Sequence, residues 1–103
     1  MGYAKERGKL EILANKVNGL TIYDDKSLKI ITDVFEQYSH SIRILKNKNP
    51  DTFNEHYLID LQQVKVVRRT LKVSEEADRQ DAFIKYKDAL LVALNGAVEL
   101  TKV

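Results

Sequence analysis

Few side chains in this sequence can do chemistry. There are two histidines, His40 and His56, and no cysteine. Disulfides, thiolate metal sites and cysteine nucleophiles are therefore excluded. Each histidine has a carboxylate one helical turn away: Glu36 four residues before His40, and Asp60 four residues after His56. Two helices joined by a hairpin turn near residue 48 would bring positions 40 and 56 to about the same level. Four such groups have the donor chemistry of a hard or borderline divalent-ion site. The apolar pattern argues against it. Tyr38 and Ile42 hold the inward stripe, so position 40 falls on the outer face. The reading is two solvated surface histidines, with no metal and no cofactor. Ser27, Ser39, Ser41 and Ser74 have neither elbow nor triad spacing. No carboxylate pair is expected to point into an apolar cleft, as general acid–base work would need. No enzymatic activity is expected.

Two further patterns carry functional readings. His40-Ser41-Ile42-Arg43 resembles the His-x-x-Lys-Gly pattern of histidine phosphotransfer domains, with Ile44 where that pattern has Gly. The resemblance covers four residues and implies His40 as phospho-acceptor with Arg43 as its charge partner. Lys65, Arg68, Arg69 and Lys72 form a basic cluster that can contact phosphates or an acidic partner. A second cluster, Arg43, Lys46 and Lys48, precedes Asp51 and Glu55, and the first precedes Glu75, Glu76, Asp78 and Asp81. Both clusters are expected at helix C-termini, where cations are stabilised, facing those acids. Arg68 falls in line with the apolar seam, so it is expected to pair with a carboxylate or to snorkel to the bundle end. Residues 1–18 carry Lys5 and Arg7 at a helix start, where the dipole disfavours them; an acidic partner is one explanation.

The elements that must position these residues read as four helices. Tyr3, Leu10, Leu13, Val17 and Leu20 mark a shorter first segment, stopped by Asn18-Gly19, both tolerant of the left-handed conformation. Asp24-Asp25 cap the second. Its Leu28, Ile31, Phe35, Tyr38, Ile42 and Leu45 recur at alternating steps of three and four. Asn49-Pro50 opens the third, which carries Phe53, Tyr57, Leu61, Val64, Val67 and Leu71. Within it Val64-Lys65-Val66-Val67 is β-branched and alternating, so the stretch 61–73 is open between helix and strand; helix is preferred because no Gly or Pro interrupts it. Ser74 caps the fourth, which carries Phe83, Ile84, Leu90, Leu91, Leu94, Ala97 and Val98. Short joints place consecutive helices side by side. The expected fold is all-α, an antiparallel up-down four-helix bundle in a single domain over residues 1–103, dimerised through the fourth helix.

The chain has 103 residues, 44% apolar and 31% charged, with a formal charge of +2. This suits one globular core and is too balanced for a dedicated polyanion carrier. The longest apolar run, Ala89 to Leu94, is far short of the ~20 residues that span a bilayer, so no membrane insertion is expected. Neither a secretory leader nor a myristoylation site at Gly2 is expected, and the reading is cytoplasmic. Composition rich in Lys, Asn and Ile, without Cys or Trp, suggests a low-GC bacterium or its phage.

A surplus of apolar residues lies outside the seams. Ile30, Val34, Ile44, Leu91 and Val92, with the amphipathic ring of Tyr86, are expected to form a protein-contact surface, with a homodimer as one use of it. Tyr23 is read the same way. The function expected is a non-enzymatic accessory, inhibitor or immunity-type protein acting by protein–protein contact. In size and architecture such a bundle is similar to the small proteins that protect bacteria from their own bacteriocins. The alternatives are a nucleic-acid-binding accessory factor and a phosphotransfer protein.

Overall fold

The computed structural model describes residues 3–102, and the readings placed on Gly2 lie outside them. The elements are α1 Ala4–Asn18, α2 Asp25–Lys48, α3 Pro50–Glu55, α4 Leu61–Val73 and α5 Arg79–Leu100. One wide helical turn, His56–Asp60, joins α3 to α4 without a break, so the two form a single rod. The fold is all-α: among the described residues there are four rods and no strand. Stretch 61–73 is helix throughout: its buried residues Leu61, Val64 and Leu71 recur at helical spacing, while Val66 and Val73 face outward.

Local chemistry sets the ends. Asp24 Oδ1 accepts from the Ser27 amide at 2.7 Å, and Asn49 Oδ1 from the Thr52 amide at 3.3 Å, with Pro50 filling the first helical position. The first helix stops without a left-handed residue. Gly19 has φ −83° and ψ −6°, and the Leu20 amide closes a tight turn on the Val17 carbonyl at 3.0 Å. Ser74 does not cap the last helix. Its hydroxyl turns back to the Thr70 carbonyl at 2.6 Å, so it closes α4. A single 3₁₀ turn, Glu76–Asp78, intervenes before α5.

The core runs the length of the rods. Leu10, Leu13 and Val17 of α1 meet α5, its most extensive partner, and α2. Ile31, Phe35, Tyr38, Ile42 and Leu45 of α2 are buried as the seam predicts, with Leu28 half-buried at the rim. Ala82, Phe83, Tyr86, Leu90, Ala93, Leu94 and Ala97 make α5 the wall shared by α1 and α4. The molecule measures 47 × 23 × 16 Å. Among the described residues no helix is long and apolar enough to cross a membrane.

Arg7 has a use inside the fold. Its Nη2 donates to the Thr101 carbonyl at 2.8 Å and its Nε to Thr101 Oγ1 at 3.1 Å. The start of α1 therefore supplies the cation that the C-terminus of α5 lacks, since the last turn of α5 has no basic residue of its own. Arg7→Ala leaves the buried Thr101 short of a charged donor and is expected to cost about 1–3 kcal/mol in urea unfolding. Gly96→Ala acts in the opposite sense. A Cβ at this helical position would lie 3.8 Å from His56 Cε1, an ordinary contact. The substitution is expected to raise stability by about 0.4–1 kcal/mol in the same measurement.

Candidate functional site

The wide turn is where the sequence-level stripe departs from the structure. The Leu61 amide donates to the His56 carbonyl, five residues back rather than four, and Gln62 Nε2 donates to the Tyr57 carbonyl at 3.2 Å. This inserts one residue into the helical register. The buried positions become Phe53, His56, Leu61, Val64 and Leu71. Tyr57, read as core, is half-buried instead, with Lys46 Nζ 4.2 Å above its ring. His56, read as a solvated surface residue, is 3% exposed. Leu58 and Ile59 are 57% and 59% exposed.

His56 is held from both sides. Its Nδ1 lies 3.0 Å from Asp60 Oδ2, and its Nε2 lies 2.7 Å from the Tyr38 hydroxyl. Asp60 accepts from Nδ1–H, which leaves Nε2 to accept from Tyr38. The arrangement is a neutral imidazole bridging an exposed carboxylate and a fully buried phenol. Burial is the main influence on His56 and holds its pKa below the usual 6.5, against the opposing pull of Asp60. Burial likewise pushes the Tyr38 phenol well above its usual range, and the Asp60 charge adds to this. Tyr38 and His56 offer no surface to a substrate.

The other predicted chemistry is dispersed. His40 is exposed on the outer face of α2, as the seam requires, with Arg43 exposed one turn on. His56 turns inward to Tyr38, so the two histidines do not converge. Among the described residues no three His, Asp or Glu side chains gather as a metal site needs. Lys65, Arg69 and Lys72 are exposed and Arg68 is half-buried. Among the described residues none of these four pairs with a carboxylate within 4.0 Å. Arg68 instead lays its guanidinium over the Phe35 ring, 4.9 Å from the centroid. Lys48 pairs with Glu6 at 2.9 Å rather than with the acids of the next helix, and this contact holds the Glu6 carboxyl below its usual range.

The expected contact surface is partly core. Val34 is 0% and Tyr86 1% exposed, so neither stands on an outer contact face. Val34 lies one step from the seam, on a helix that packs against more than one neighbour. Tyr86 faces inward, with its ring edge-on to Phe35 at 6.3 Å. Tyr23 is half-buried and edge-on to Phe83 at 5.8 Å. Ile30 and Leu91 are half-buried, and Ile44 and Val92 are exposed. Val92, 72% exposed, stands on the wall of a shallow groove of about 260 Å³ between α4 and α5. Val64, Ala89 and Ala93 line it, with Asp60 and Asp88 at its edges. The exposed pair Leu58-Ile59 directly precedes Asp60. Sequence reading did not single out this pair, although both positions lie off the stripe through Phe53, Tyr57 and Leu61.

Comparisons with known proteins add little to this geometry. No family model matches the chain, and no solved structure matches it. The chain is similar to M-protein, striated muscle, of Gallus gallus, 32% identical over 85 residues. The match takes in 81% of this chain and 6% of that protein, so the chain spans a small fraction of the curated relative's length.

The buried trio makes a prediction with a defined sign. Because the native pKa of His56 lies below the unfolded one, only the unfolded chain takes up the proton as pH falls through about 6.5. Stability is full above that pH and falls below it, before the carboxylates titrate. Urea unfolding between pH 7.5 and 5.5 is expected to show this loss, and the double variant Tyr38→Phe/His56→Leu to lack it. Tyr38→Phe alone leaves Nε2 buried without a donor and is expected to cost about 1–3 kcal/mol.

Proposed function

We propose that this chain is a non-enzymatic helical protein that acts by protein–protein contact, as an accessory, inhibitor or immunity-type protein. The observation that carries the reading is Val92. It is a large apolar side chain left 72% exposed on a groove wall, beside half-buried Leu91. An apolar centre with a charged edge, here Asp60 and Asp88, is the usual composition of a contact patch. Self-association through α5, with Ile30 and Ile44 as a second apolar row, is the use we assign to it. The short joints at Asn49 and at Ser74-Glu75 support an antiparallel up-down arrangement of the four rods. Composition supports a bacterial or phage source and a cytoplasmic setting. The likeness to 6% of a chicken muscle protein supports no particular activity.

A second reading, nucleic-acid contact, rests on the exposure of Lys65, Arg69 and Lys72 without carboxylate partners. It requires binding that weakens steeply with added salt.

Light scattering across a concentration series tests the first reading. A dimer or larger species is expected, moved toward the 11.9 kDa monomer by Val92→Asp. Because Val92 is exposed, that variant should keep its helix content and its stability within about 0.5 kcal/mol. A monomer at every concentration overturns self-association.

A further inference from the structure

At the end of α2 remote from Asn49, a cleft of about 310 Å³ opens between α2, α4 and α5. Its walls combine two kinds of group. Leu28 of α2, Leu71 of α4 and the Tyr23 ring supply apolar surface, while Arg68, Lys72 and Arg79 bring three cations to one opening. No carboxylate lines it, and among the described residues none of the three cations has one within 4.0 Å. We propose that this cleft binds small amphipathic anions, with a carboxylate or phosphate head held by Arg68, Lys72 and Arg79 and an apolar body against Leu28, Leu71 and Tyr23.

Four observations support the assignment. Three like charges around one opening repel each other, and an anion between them reverses the sign of that interaction. Arg68 is pre-positioned: its stack on Phe35 fixes the guanidinium plane, and among the described residues it donates no hydrogen bond, so its N–H groups are free for a head group. Tyr86 lines the cleft and is 1% exposed, yet its hydroxyl has no hydrogen-bond partner. A buried unpaired hydroxyl costs stability in the empty protein and is repaid when a ligand oxygen meets it. Finally, the volume lies at the lower end of the ~300–1,000 Å³ typical of small-molecule sites. Arg79 is the least free of the three, since its Nε already donates to the Ser74 carbonyl at 3.3 Å. Glu36 is the carboxylate whose charge bears on Tyr86, and it lies outside the lining. The inference does not rest on self-association, because Val92 belongs to a different groove.

Amide correlation spectra of the full chain, titrated with phenyl phosphate, octanoate and inorganic phosphate, test it. Saturable shifts are expected around Tyr23, Arg68, Leu71 and Tyr86 with at least one of the two organic anions. The tighter of the two identifies the head group as phosphate or carboxylate. Inorganic phosphate, which cannot use the apolar wall, should bind about tenfold more weakly or less. Arg68→Gln and Lys72→Gln should each weaken binding about tenfold. Lys72 is exposed, so its variant reports on binding even if loss of the Phe35 stack unfolds the other. Tyr86→Phe should weaken binding while raising the melting temperature of the empty protein, a pair of effects that a packing role alone would not produce. The proposal is overturned if neither organic anion saturates, if Lys72→Gln binds as tightly as the parent, or if inorganic phosphate binds as well as phenyl phosphate. It is equally overturned if a single-stranded oligonucleotide binds at Lys65 and Arg69 while the cleft stays silent.

Discussion

A hydrogen bond between two fully enclosed side chains, Tyr38 on α2 and His56 on the neighbouring rod, constrains much of this molecule. An imidazole in a dry interior is costly unless both nitrogens are satisfied. Here the phenol satisfies one and Asp60 the other. Asp60 reaches the ring from its own helix, and Tyr38 reaches it across the interface. The two contacts together specify the rotation of the rod about its axis. The wide turn follows His56 and shifts the register of what comes after it, so that Tyr57 is half-buried while Leu61 returns to the core. The turn then sets the phase of α4. Val64 and Leu71 face the core, and Leu58 and Ile59 face outward.

The two ends of the molecule are tied differently. At one end the chain is cross-linked by polar contacts between distant segments. Arg7 reaches Thr101, Glu6 reaches Lys48, and the Tyr3 hydroxyl accepts from Asn49 at 3.2 Å while its ring stands edge-on to Phe53. Dipole chemistry explains the first of these, since a cation is moved from a helix start, where it is unfavourable, to a helix end. At the other end the α1–α2 loop is clipped to the start of α5. Gln80 accepts from the Tyr23 amide at 2.7 Å and donates to the Thr21 carbonyl at 2.8 Å. Between that clip and the end of α4 the helices leave the cationic cleft. The unpaired cations and the unpaired Tyr86 hydroxyl are found together there.

Most of the fold was legible in the residues. The α2 seam, the Asp24 and Asn49 caps and the apolar positions of α1 and α5 depend on local periodicity and on short-range hydrogen bonds, which sequence displays directly. The surface was less legible. Val34 and Tyr86 read as surplus because a 3.6-residue stripe assigns one face per helix, whereas α2 and α5 each touch more than one neighbour. The ion pairs expected from adjacency were displaced for the same reason: Lys48 found Glu6, and Arg68 found an aromatic ring.

By itself, the sequence determined an all-helical chain, the number of its rods, most of their ends and the greater part of the core. Each of these follows from interactions within a few residues. Only the tertiary structure decided that His56 is buried, that Arg7 closes the end of α5, that Leu58 and Ile59 are exposed, and that Arg68, Lys72 and Arg79 meet at one opening. The physical reason is that each depends on how whole rods pack, through contacts between residues as far apart in the chain as Arg7 and Thr101, and no local preference displays those contacts.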